Sequence, residues 1–349
     1  MQELLGRLRA LDPTASQGLR VIACFDELMS GHVGTDGLLS AAAALAGRVV
    51  GLRRGKEGSV IRVGPDGRRL APGPPPAGGL HYDGIQVWIE RERDGEGVND
   101  AIILERLALA LHVRLDESRA PEPRDLALLF DDKVDKTVRR DAATRRGLSA
   151  GVSLRAVVAP LFAIWRTHPA GPEDVVATDF GPVHAAIVPA GLEVAASPLG
   201  IGVTVERDEL ALSFRTAIVA LRLADTAEDG ISRADDLGVL AETLADQPIR
   251  PRVDTDEAAV ARLAAHAWGL ATLEALVRST SVRDAARMVG IHHSTMTARL
   301  ETITAEFGFS PLDGWERTRV AVALLRWRVR TSRVLELPVP TTPRATASV

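Results

Sequence analysis

At 349 residues the chain is too long for a single compact core, and two or three domains are expected. With 46% apolar and 25% charged residues, its composition excludes a fibrous or intrinsically disordered chain. A formal net charge of −4 excludes a basic field over the whole molecule, so any nucleic-acid contact must come from a local patch.

In chain order, Gln17 to Gly47 carries helical spacing (Leu19, Ile22, Ala23, then Leu38, Leu39, Ala42). Cys24, the only cysteine, falls in its apolar run, which excludes an intrachain disulfide and a cysteine-built metal cage and suits core packing. The period then changes. Residues 48–53, 59–63 and 84–90 read as strands, with the turn Gly64-Pro65-Asp66-Gly67 and a proline-rich loop at 71–79 between the second and the third. A helix from Val98 to Leu115 completes a first α+β domain, expected at 1–120. Val87, Trp88 and Ile89 offer a pocket wall, although a tryptophan there more often belongs to the core.

Pro121-Glu122-Pro123 marks a linker. One charged amphipathic helix is expected over 125–144, with Leu126, Leu129, Phe130, Val134 and Val138 as its stripe. Its acids Asp131, Asp132 and Asp135 share helical spacing that a cation would use, but Lys133 and Lys136 among them favour a solvated face. Strand-like runs follow at 154–159, 175–177, 185–189 and 199–205, and then a helix over 206–224, giving a second α+β domain at 121–250. From Asp254 to Arg333 the pattern is all helical. The tail at 334–349, rich in Pro, Thr and Ala, is expected to be disordered.

The chemistry-bearing segment lies in the helical part. Leu270, Leu273, Leu276 and Val277 give one helix an apolar face. Ser281-Val282-Arg283-Asp284 reads as a capping box opening a short second helix that stops at Gly290. A third helix starts near His292 and runs to about Phe307. Ala286 is small where the helices cross, and Gly290 suits a turn needing φ > 0. Met296, Leu300, Ile303 and Phe307 form the stripe that locks the third helix in place. His292, His293, Ser294, Thr295, Thr297 and Arg299 remain for base edges and phosphates, the arrangement of a recognition helix. From 281 to 333, nine arginines face five acids, a local excess over the acidic whole. Arg326, Arg328 and Arg330 suit either phosphate or a solvated face.

Ser281 to Gly308, followed by Ala321-Val322-Ala323-Leu324-Leu325, resembles the C-terminal helix-turn-helix of PucR/CdaR-type bacterial regulators. Members typically open the recognition helix with His-Arg-Asn-Thr, where this chain has His292-His293-Ser294-Thr295. Upstream, Leu199-Gly200-Ile201-Gly202 with Ser213-Phe214-Arg215-Thr216-Ala217 is similar to the family's cyclase-like central domain, and the first domain resembles a divergent GAF-type sensor. The resemblance implies a multidomain α+β protein, GAF-like then degenerate cyclase-like, closed by an all-α helix-turn-helix domain at 254–333. It further implies a cytoplasmic homodimer that binds double-stranded DNA and answers to an effector the sequence does not name.

Other chemistry finds little support. The Gly-Gly-Asp/Glu-Glu-Phe hairpin of cyclases is absent from the sequence, as are P-loop, nucleophile-elbow and zincin motifs, so no enzyme, cofactor or metal site is expected. His32, His81, His112, His168, His184 and His266 show no ligand spacing and read as structural or surface residues. No secretory leader or membrane span is expected, since the run Leu38–Gly47 is roughly half the length a span needs. The competing reading is an interaction scaffold that uses its helix-turn-helix only for packing.

Overall fold

A computed structural model of the chain describes residues 13–55, 58–90, 97–117, 125–224, 230–247 and 254–336. The fold is mixed α and β with an all-helical C-terminal region. It divides into two compact units, residues 1–245 with 333–349, and residues 246–332.

The first unit opens with helices α1 (Pro13–Ser30) and α2 (Thr35–Ala46). The continuous helical pattern expected over 17–47 is interrupted at Gly31 and His32, where His32 takes φ 56° and its amide donates to Met29 O. Strands β1 (Val50–Arg54), β2 (Val60–Val63), β3 (Leu80–Tyr82) and β4 (Ile85–Ile89) form an antiparallel sheet ordered β2-β1-β4-β3, and α3 (Asp100–Glu117) follows. Alternation puts Val50, Leu52, Ile85 and Val87 on the face packed against the helices, where they join Val21, Phe25, Leu38, Leu107 and Leu111. Cys24 belongs to this core. Burial, with the nearby Glu27 charge, pushes its thiol up to about 12, so it packs as an apolar residue rather than serving as a nucleophile.

A second set of elements lies in the same unit: helices α4 (Asp125–Phe130) and α5 (Lys136–Arg145), strands β5 (Leu154–Ala159), β6 (Ile164–Trp165), β7 (Glu173–Thr178), β8 (Gly181–Pro189), β9 (Ala196–Ser197) and β10 (Leu199–Ile201), helix α6 (Leu210–Leu223), strand β11 (Ile231–Arg233) and helix α7 (Val239–Ala245). Five strands form a sheet ordered β11-β10-β5-β8-β7, with only the outer β10–β11 pair parallel, while β6 and β9 pair separately. The strand expected over 199–205 ends at Ile201, and β3, β6, β9, β11 and α7 are additional to the sequence reading.

The single helix expected at 125–144 is two helices. Asp131 accepts the Lys133 amide, and Asp135 accepts the Thr137 amide at 2.7 Å as the N-cap of α5. Short carboxylates compete with the helix for backbone donors, and two in five residues end one helix and start another. The Thr137 amide bond also holds the Asp135 carboxyl below its ordinary range. Val138 is therefore exposed rather than part of a stripe. Asp132 pairs with Arg215, so the three acids have separate partners; among the described residues no group of His, Cys, Asp and Glu is arranged to hold a metal. Buried Asp125 takes Arg145 at 2.6 Å and Arg146 at 3.1 Å, tying the two short helices together.

Glycines set the close approaches. A Cβ on Gly200 would stand 2.3 Å from Ala217 O, and one on Gly202 2.0 Å from Ser213 O, so α6 crosses this segment at a distance that admits no side chain. Ser213 completes the contact, accepting the Ala156 amide at 2.8 Å and donating to Val203 O at 2.7 Å. Gly31 and Gly37 likewise let α1 and α2 meet β7 at Glu173 and Asp174. At this seam two of the histidines read as structural or surface residues meet one carboxylate. Glu173 accepts from His168 Nε2 at 2.5 Å and from His184 Nε2 at 2.6 Å, while Glu27 lies 3.3 Å from His168 Nδ1. Both Glu173 and His184 are buried, with Trp165 set edge-on to the His184 ring.

Val334 and Leu335 pack into the core beneath the second sheet with Leu126, Phe214 and Leu221, so the expected disordered tail does not begin at 334. The rest of that tail, from 337, lies outside the described residues. Among the described residues no helix is long and apolar enough to cross a membrane.

Candidate nucleic-acid interface

The second unit contains α8 (Thr255–Ala264), α9 (Gly269–Arg278), α10 (Val282–Met288), α11 (His293–Phe307) and α12 (Gly314–Thr331). Their core gathers Leu263, Leu273, Leu276, Ala285, Ala286, Met296, Ile303, Val320 and Leu324, with Leu300 and Phe307 partly buried against it. The apolar stripe of α11 therefore points inward, with Met296 and Ile303 fully buried.

The turn between α10 and α11 is a Schellman motif. Gly290 takes φ 69°, its amide donates to Arg287 O, and the Ile291 amide donates to Ala286 O at 3.0 Å. Nothing crowds Gly290, so only its backbone conformation requires glycine. Gly290→Ala is expected to cost about 1 kcal/mol of stability, whereas Gly290→Asn should be nearly neutral, as denaturation midpoints would show. The capping box is half formed. Ser281 Oγ accepts the Asp284 amide at 3.1 Å, while the Asp284 carboxylate bonds Arg287.

At the start of α11 the N-cap is His292, a role the sequence reading did not give it. Its Nδ1 faces the Ser294 amide at 3.3 Å and the Ser294 hydroxyl at 2.8 Å. Accepting that amide requires a bare Nδ1, which puts the ring proton on Nε2. The first turn, His292, His293, Ser294 and Thr295, is exposed. Thr297 is half-buried and donates to His293 O at 3.0 Å. Arg299 is occupied within the unit: it donates to Thr272 Oγ1 at 3.1 Å and lies 5.1 Å above the Trp268 ring, so it holds α11 on α9. The outward face continues through Ala298, Glu301 and Thr302, which the sequence reading passed over. Their spacing of three, four and seven from Ser294 and Thr295 was the available signal.

The arginines of α12 are also engaged. Arg319 pairs with Asp256, Arg326 with Asp254, Arg328 with Glu274 and Arg330 with Glu257, while Arg317 donates to Ser279 O. Arg326, Arg328 and Arg330 thus tie α12 to α8 and α9 through ion pairs. The arginine excess of 281–333 does not extend to the whole helical unit, since over 254–332 ten arginines face nine acids. Burial raises the Glu274 carboxyl, and the Arg328 hydrogen bond with the Arg328 and Arg278 charges outweighs it, leaving the group below its ordinary range. Stability from this pair is present above the ordinary carboxylate pKa and lost as pH falls through the depressed one. Exposed cations remain on α10, at Arg283 and at Arg287, whose side chain is 81% exposed. The site so formed is an exposed polar first turn on a rigidly seated helix, flanked by two cations of the helix before it.

Comparison with curated proteins found no match. Among solved structures, the chain is similar to a regulator of polyketide synthase expression from Bifidobacterium adolescentis, at 13% identity and a TM-score of 0.26, over 59% of this chain and 97% of that one. Residues 270–325 match the family model of the PucR C-terminal helix-turn-helix domain, which takes in α10, the Schellman turn and α11. This chain carries a PucR-type C-terminal helix-turn-helix domain.

Proposed function

We propose that the protein is a transcriptional regulator that binds specific double-stranded DNA as a cytoplasmic homodimer. The observation that carries this reading is the exposed first turn of α11, fixed from behind by Met296 and Ile303 and from the side by Arg299. In the major groove His293, Ser294 and Thr295 would meet base edges, Ala298 would offer a methyl contact, and Arg283 and Arg287 would meet phosphates. With so few exposed cations beside the first turn, one copy makes few phosphate contacts, which favours paired half-sites. Residues 1–120 and 121–250 would serve as GAF-like sensor and cyclase-like coupling domains, an effector shifting the population of dimer geometries.

Selection of bound duplexes from random DNA by full-length protein, at about physiological salt, tests the reading. A recovered repeat with half-sites about 10 base pairs apart, or a multiple of that, supports a dimeric regulator. No enriched sequence, with or without the N-terminal unit, would sink it. The near balance of charge over 254–332 favours a second reading, an interaction scaffold, which predicts retained self-association without DNA binding.

A further inference from the structure

We propose that Glu301 reads a cytosine, so that each half-site of the target carries that base at one position of its major groove. The place of Glu301 in a groove rests on the regulator reading above; its choice of base goes beyond that reading.

Burial defines the reading face. Met296 and Ile303 are buried, and Leu300 and Phe307 are partly buried against the core of the unit. Helical periodicity then turns Ser294, Thr295, Ala298, Glu301, Thr302 and Ala305 to the other side, and all of them are exposed. This stripe carries short side chains and no arginine or lysine. Thr302 donates its hydroxyl hydrogen to Ala298 O at 3.3 Å, which leaves Glu301 as the one long polar side chain on it.

Folding gives that carboxylate no partner. Among the described acids of this unit, Asp254, Asp256, Glu257, Glu274, Asp284 and Glu306 each pair with an arginine. Asp313 and Glu316 open α12, where a helix N-terminus favours negative charge. Glu301 has neither arrangement. It lies in the middle of α11, its neighbours three and four positions away are Thr297, Ala298, Thr304 and Ala305, and among the described residues it forms no ion pair. Arg299, the one arginine of α11, is held against Thr272 and Trp268.

In a major groove such a group selects. Phosphates surround it with negative potential and docking strips water from it, so a carboxylate left without a donor weakens the complex. It accepts hydrogen bonds and donates none. Guanine shows it the N7 and O6 acceptors, thymine the O4 acceptor, and adenine an N7 acceptor beside the amino group. Cytosine alone presents an amino donor with no acceptor next to it, so Glu301 takes cytosine and rejects the other three. A rise of about 1.5 Å per residue puts Glu301 about 10 Å along the helix from Ser294, roughly three base-pair steps of about 3.4 Å. The cytosine therefore lies beyond the bases met by the first turn, with Ala298 over the step between.

The test runs the selection from random duplexes on full-length wild type, Glu301→Gln and Glu301→Ala in parallel, at about physiological salt, with a thermal melt of each. Wild type is expected to recover one cytosine-dominated position per half-site. Glu301→Gln should convert that position alone to adenine, whose N6 and N7 suit a carboxamide, and Glu301→Ala should make it indifferent. In anisotropy titrations a mismatch there should weaken wild-type binding about tenfold and Glu301→Ala binding less than about twofold. Melting midpoints should not move, since the side chain is exposed and unpaired. A motif with the same base preferences in all three proteins overturns the proposal and leaves the regulator reading standing. Tighter binding of every sequence by Glu301→Gln, with no change of preference, also overturns it, because the carboxylate then faces a phosphate rather than a base. A lowered midpoint without the switch to adenine gives Glu301 a structural role and does the same. No enriched sequence from wild type removes the regulator reading, and the proposal with it.

Discussion

Glu173→Ala is expected to destabilise the first unit by about 3–5 kcal/mol, the loss typical of removing one partner from a buried charged cluster. Each oxygen of Glu173 takes one imidazole, His168 at 2.5 Å and His184 at 2.6 Å, and the His184 ring is buried. Without the carboxylate the buried His184 Nε2 loses its hydrogen-bond partner, and the carboxylate's volume becomes a void beside Gly31. A domain's total stability is about 5–15 kcal/mol, so a large fraction of the folded population margin is at stake. Urea denaturation read through Trp165, edge-on to His184, should show the midpoint fall, with Glu173→Gln intermediate because it keeps one acceptor oxygen. A change under 1 kcal/mol for Glu173→Ala would show that the cluster is not what holds this seam.

Thr295→Glu should leave the second unit folded and lower its affinity for selected DNA by tenfold to a hundredfold, about 1–3 kcal/mol. Thr295 is the third residue of α11, and a carboxylate in a first helical turn favours the helix by roughly 0.3–1 kcal/mol through its dipole. Stability and binding therefore move in opposite directions, a signature that unfolding cannot mimic. Fluorescence anisotropy on the selected site, at fixed salt, would be paired with a thermal melt. Unchanged affinity in a folded variant would mean that α11 does not enter the groove.

The helix-turn-helix was legible because its determinants are local. Ala286, Gly290, Met296, Leu300 and Ile303 lie within eighteen residues, and helical periodicity alone assigns each to the core or the turn. Charge at the same site was less legible, since whether Arg326 meets phosphate or Asp254 depends on which helix packs beside α12, seventy-two residues away in sequence. The His168–Glu173–His184 cluster was illegible for the same reason. His184 meets Glu173 through the β7–β8 pairing, and Glu27 arrives from a helix 141 residues earlier. The 125–144 stripe failed differently, because Leu126, Leu129 and Phe130 do pack as read, but two aspartates took backbone donors that the apolar pattern does not register.

The placement of Val334 and Leu335 has a practical consequence for dissecting the protein. Because Val334 and Leu335 belong to the core of the first unit, the helical unit is inserted within that unit's chain rather than appended to it. Cutting the gene at 245 would not release an intact first unit. It would leave the pocket of Leu126, Phe214 and Leu221 unfilled, and any loss of ligand binding or dimerisation in that fragment would report a damaged core. The faithful dissection excises 246–332 and splices 245 to 333 through a flexible linker, preserving the plug while removing the helical unit.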